Sequence, residues 1–110
     1  MAFLALASQK SLLTLRKNFL ELQQISISHQ VEAAQSQAAA IQNQHKGDDN
    51  WDEDNDAQYQ YFAQLEDSLS IEKDSLDSQI SALQNEISSL KTLVNNNIKT
   101  SCTLNLAAGG

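Results

Sequence analysis

The stretch GDDNWDEDND, residues 47–56, decides the fold. It packs six carboxylates, two Asn-type polar residues and a Gly into ten positions, between two long stretches that contain no Pro and carry apolar residues at helical spacing. Gly and Asn/Asp clusters interrupt helices because they favour turn geometries and local side-chain to backbone bonds. The break therefore reads as the turn of a helical hairpin, not as the middle of one continuous helix. Each flanking arm of about forty residues would span roughly 60 Å as an α-helix. Arms of matched length fold back and cover each other, so the reading is all-α: two long helices in an antiparallel coiled-coil hairpin with an acidic turn.

Working outward from the turn, the organisation is one helical hairpin over residues 1–110: an N-terminal arm at 1–7, helix one at 8–46, the turn at 47–56, helix two at 57–100 and a frayed tail at 101–110. Ser8 or Ser11 can cap helix one, and Gly47 stops it after Lys46. Asp56 can cap helix two, where its oxygens reach orphan amides. The seam of helix two runs through Leu65, Leu69, Leu76, Ile80, Leu83, Ile87, Leu90, Val94 and Ile98, with Lys73 at an intervening site inside the eleven-residue interval from Leu69 to Ile80. Such an interval is expected to relax the left-handed supercoil locally. Helix one has two apolar stripes in its first half. Leu12, Leu15, Phe19 and Leu22 form one; Leu13, Leu20 and Ile27 form a second, one residue around. Together they cover more circumference than one partner helix buries. The second half thins to Val31, Ala34, Ala38 and Ile41 among Gln and Ser, and is expected to be the less stable part because Ala adds little burial.

Composition narrows function. Aromatic residues are 5% of the 110, and the formal charge is −7. A net acidic chain lacks the Lys and Arg that replace phosphate counterions, so no nucleic-acid partner is expected. No run approaches the apolar length of a membrane span. A helical pair offers no enclosed interior for an active site, and no Ser–His–acid or Cys–His grouping is present, so neither an enzyme nor a cofactor is expected. Cys102 is the sole cysteine and reads as an unpaired thiol. His29 and His45 are too far apart in sequence to share one metal ion on a helical face. The acidic loop fails the EF-hand pattern: counted from Asp48, Glu53 stands where Gly is needed and Tyr59 where a bidentate Glu is needed. No metal is assigned.

Trp51, the one tryptophan, sits in the turn close to Tyr59, Tyr61 and Phe62. It reads as a cap on the end of the hairpin seam, with contact to a partner at the tip as the alternative. A Trp in a hairpin turn resembles the leaderless secreted hairpins that carry Trp-x-Gly, although here the string is Trp51-Asp52-Glu53. Antiparallel arms also gather Lys10, Arg16 and Lys17 with Lys91 and Lys99, away from the acidic turn.

Two further resemblances involve the ends of the chain. ASQKSLLTLRKNFLELQQISISHQ (residues 7–30) and LDSQISALQNEISSLKTLVNNNIKTS (residues 76–101) resemble the opening and closing helices of small uncharacterised bacterial coiled-coil proteins with a Ser-Gln, Leu-Leu-x-Leu and Arg-Lys-Asn start and an Asn-Ile-x-x-Ser finish. Paired terminal helices with Gln- and Asn-rich seams also look like the axial subunits of type III secretion needles and flagellar rods, which polymerise through both chain ends. The bacterial family carries no activity over; the doubled stripe itself points to a non-enzymatic structural or scaffold protein that self-associates, with Leu12, Leu13, Leu15, Phe19, Leu20, Leu22, Ile25, Leu90, Val94 and Ile98 as the protein-binding residues. The alternative is a chaperone- or adaptor-type module whose apolar N-terminal half is covered by a helical partner. No basic n-region precedes the short MAFLALA run, so no secretory signal peptide is expected there; the compartment is left open between the cytoplasm and export without a cleaved leader.

Overall fold

The computed structural model describes residues 2–109, with side chains described for residues 4–100. It is a helical hairpin: α1 spans Ala2–Gln44, a short 3₁₀ turn η1 spans Glu53–Asn55, and α2 spans Ala57–Gly109. Helix one thus absorbs the expected arm at 1–7, because Ala, Phe and Leu in that run include no breaker. It ends two residues before Lys46, since His45 and Lys46 bond back three residues, to Gln42 and Asn43, and not four. The expected frayed tail is likewise helical, because no Gly or Pro interrupts the chain before the final Gly pair. Met1, Gly110 and the Cys102 side chain lie outside the described residues.

The chain divides into two compact units, the first comprising residues 1–21 and 78–110, the second 22–77. In the second unit, α1 contributes Ile27, Val31, Ala34, Ala38, Ile41 and His45 at alternating four- and three-residue steps, all buried or half-buried. The matching row of α2 is Phe62, Glu66, Leu69, Lys73 and Leu76, also buried or half-buried. Lys73 keeps the heptad beat, so the interval from Leu69 to Ile80 contains no slip, and the expected local relaxation has no basis. Ala34, only 2% exposed, is the most covered of the buried apolar residues. It lines a groove with Phe62, Leu65 and Leu69. Ala34 and Ala38 are buried here, where a small side chain on α1 lets the larger ones of α2 sit close.

Polar bonds flank this seam. Gln24 and Gln35 donate their side-chain amides to Asp77 and Glu66, the second over 3.0 Å, and Gln42 donates to Glu53 over 3.3 Å and to the Tyr59 hydroxyl over 3.1 Å. A neutral amide facing a carboxylate supplies a charge-assisted bond without a Lys or Arg. That is how an acidic α2 packs on a helix rich in Gln. In the first unit, Leu13, Lys17 and Leu20 of α1 are half-buried, as are Ile87, Leu90, Val94 and Asn97 of α2, while Ile80 and Leu83 are buried.

Candidate protein-binding interface

The two apolar stripes of α1 have different fates. In the first unit, Leu13 lines a groove with Asn85, Glu86, Ser89 and Leu90 of α2, so its stripe belongs to the intramolecular seam. The other stripe is open. Leu12 is 66% exposed, Leu15 67%, Phe19 59% and Leu22 67%, with Ile25 at 52% further along the same helix. Leu12, Leu13, Leu15 and Phe19, with Gln9 and Arg16, line an open groove of about 600 Å³. In the coiled-coil frame set by the seam, the open residues occupy the positions that point away from α2. Steps of three, four and three residues between them repeat the rhythm of a second heptad seam. Contiguous exposed apolar residues of this kind are unusual on a monomer, where a solvated outer face is normally charged or polar.

Of the residues expected to bind protein, Leu12, Leu15, Phe19, Leu22 and Ile25 are thus open, whereas Leu13, Leu20, Leu90 and Val94 are half-buried in the hairpin's own seam. Ile98 does not continue that seam. The three-residue step from Val94 falls on Asn97, which is half-buried, and Ile98 is 43% exposed beside it. It edges a groove with Ala7, Lys10, Ser11, Thr14 and Val94. Leu4 and Leu93, exposed at 59% and 50%, were not among the expected residues, and their spacing in the sequence carries no signal that separates them from frayed or flanking positions.

The turn forms a second, self-contained site within the other unit. Gly47 has φ +87°, and the Asp48 amide bonds back to the His45 carbonyl over 3.0 Å, so the chain leaves α1 through a left-handed residue that favours Gly. Asp52 caps η1, accepting from the Asp54 amide over 3.0 Å and the Asn55 side chain over 2.8 Å. Asp56 caps α2: one carboxylate oxygen accepts from the Tyr59 amide over 2.9 Å and the other from the Trp51 indole over 2.9 Å. These bonds, the Tyr59 amide first, hold the Asp56 carboxyl below its ordinary pKa, against the opposing pull of desolvation. Trp51 is half-buried, stacked on His45 with ring centres 4.8 Å apart and meeting the Tyr59 ring edge-on at 5.8 Å. Desolvation, then the Glu53 carboxylate, raise the Tyr59 hydroxyl above its usual range. The capping reading of Trp51 thus has its contacts in place: one indole face, its N–H and an aromatic edge are all engaged inside the turn.

Among the described residues, no group of three or more His, Cys, Asp or Glu is placed to hold a metal ion, and no helix is long and apolar enough to cross a membrane. No protein-family model matches the chain, and no curated protein or solved structure is similar to it.

Proposed function

We propose that this chain is a non-enzymatic structural or scaffold protein that assembles through the outer apolar face of α1. The observation that carries this reading is the open stripe Leu12, Leu15, Phe19 and Leu22, each more than half exposed at coiled-coil spacing. Water in contact with such a face is displaced favourably when a second helix covers it. Assembly of the kind found in secretion-needle and flagellar axial subunits is one form the scaffold takes, with the small bacterial coiled-coil proteins as the corresponding family.

The experiment is light scattering in line with size exclusion, across a dilution series from submillimolar to low micromolar protein. Growth into a defined oligomer, lost in a Leu15→Asp/Phe19→Asp variant whose helical circular dichroism is unchanged, is the expected result. A folded monomer at every concentration would remove self-assembly. It would leave the second reading, a chaperone- or adaptor-type module whose stripe takes a different chain. That reading is favoured by the charge of the first unit, where five basic residues (Lys10, Arg16, Lys17, Lys91, Lys99) stand against Glu21 and Glu86. Such a balance suits a partner helix with acidic flanks.

A further inference from the structure

We infer that His45 is a proton-operated clamp on the turn: its imidazolium grips Asp48, Asp56 and the Trp51 indole together, and the neutral ring releases part of that grip. Every residue of the clamp lies within the second unit, residues 22–77, so it stands independently of assembly through the stripe. The imidazole lies flat on the indole, with ring centres 4.8 Å apart and planes within 3° of parallel. Its Nδ1 is 3.7 Å from an Asp48 carboxylate oxygen, and its Nε2 is 3.8 Å from the same Asp56 oxygen that accepts the Trp51 N–H. Both ring nitrogens thus face carboxylates, one from the turn and one from the cap of α2. A neutral imidazole carries hydrogen on one nitrogen only, so its other lone pair faces a negative oxygen. The imidazolium presents an N–H to each carboxylate and sets positive charge over the electron-rich face of the indole.

The surroundings leave His45 as the group that changes charge near neutral pH. Among the described residues, Asp48 and Asp56 are the charged side chains within ion-pair range of the ring. Asp56 stays ionised there, because the Tyr59 amide first, then the Trp51 indole, hold its carboxyl below the ordinary range, and the charge of His45 adds to them. Tyr59, edge-on to Trp51 from α2, keeps its proton, since desolvation and then the Glu53 carboxylate raise its hydroxyl. One turn back along α1 stand the apolar Ile41 and the uncharged Gln42, whose amide is given to Glu53 and Tyr59. Lys46, next in the chain, is exposed. An imidazole ordinarily exchanges its proton between about pH 5 and pH 8. His45 is half-buried, so water reaches the ring to deliver it. The grip is therefore firmest at the acid end of that window and slackens as pH rises.

Trp51 is the one tryptophan, so its fluorescence reads the clamp in the full chain. The bimolecular constant for acrylamide quenching, followed from about pH 5 to pH 8 at fixed salt, is expected to rise along a single one-proton curve as the indole is released. His45→Gln should abolish the rise and Asp48→Asn should diminish it. His29→Gln, at the other histidine, should leave it in place. A constant that stays flat or falls with pH in wild type would overturn the clamp. A rise that persists in His45→Gln, with helical circular dichroism unchanged, would overturn the assignment to His45. If His45→Gln loses its helical signal, Asp48→Asn decides: an unaltered rise in that variant overturns the clamp.

Discussion

Two residues of the turn carry testable consequences of their own. A Cβ built on Gly47 would meet nothing within 4 Å, so the cost of replacing it is confined to the left-handed backbone. Gly47→Ala is expected to destabilise the hairpin by about 1 kcal/mol in urea unfolding, and Gly47→Asn by less, since Asn tolerates that conformation. Asp56 gives a pH signature. Its folded pKa is depressed, so its contribution to stability is present above the ordinary carboxylate pKa of about 3.9 and disappears as pH falls through the folded value. Asp56→Asn keeps an acceptor for the Tyr59 amide but does not titrate, so its melting temperature should vary less than wild type between about pH 5 and pH 3. An unchanged acid slope in that variant would assign the loss to other carboxylates. The cap at Asp56 and the stop at Gly47 were both legible in the sequence, because each acts through local geometry. The Trp51–His45 stack was not, since it depends on how the chain doubles back.

At the scale of the helices, the seam and the open stripe should respond differently to truncation. Leu76 is 6% exposed between the helices, and Leu76→Ala is expected to cost about 2–3 kcal/mol. Leu15→Ala, measured at a concentration where the chain is monomeric, should stay within about 0.5 kcal/mol of wild type, since most of the side chain is already in water. Equal losses in chemical denaturation would mean that Leu15 is covered within the hairpin. Ala34→Leu should also destabilise, by about 1–3 kcal/mol, because Ala34 is only 2% exposed and a larger side chain at that point must push its neighbours apart. The thinness of this alanine-rich half in sequence pointed towards weak packing. What sequence spacing does not convey is that burial at a small residue is set by the size of what faces it.

For the whole molecule, the uneven charge is the feature with a measurable consequence. The second unit holds twelve acidic residues against Lys46 and Lys73, so like charges repel within it. Sodium chloride at a few tenths molar shortens the screening length to below about 8 Å and should raise the melting temperature. A flat or falling response would show that the Gln to carboxylate bonds of the seam already offset the repulsion. If the stripe joins copies, the melting temperature also rises with protein concentration in wild type and not in Leu15→Asp/Phe19→Asp, by mass action.

The sequence by itself determined that the chain turns once, at residues 47–56, that both arms are helical, and that helix one has more apolar circumference than one partner can bury. These follow from local propensity and periodicity, which each segment carries on its own. Tertiary structure alone decided which stripe of α1 faces inward. Leu12 and Leu13 are neighbours in equally regular rows, and nothing local separates them. Contact with α2 makes the choice: Leu13 and Leu20 are half-buried while Leu12, Leu15 and Phe19 stay more than half exposed, because only a row that meets the other helix loses its water.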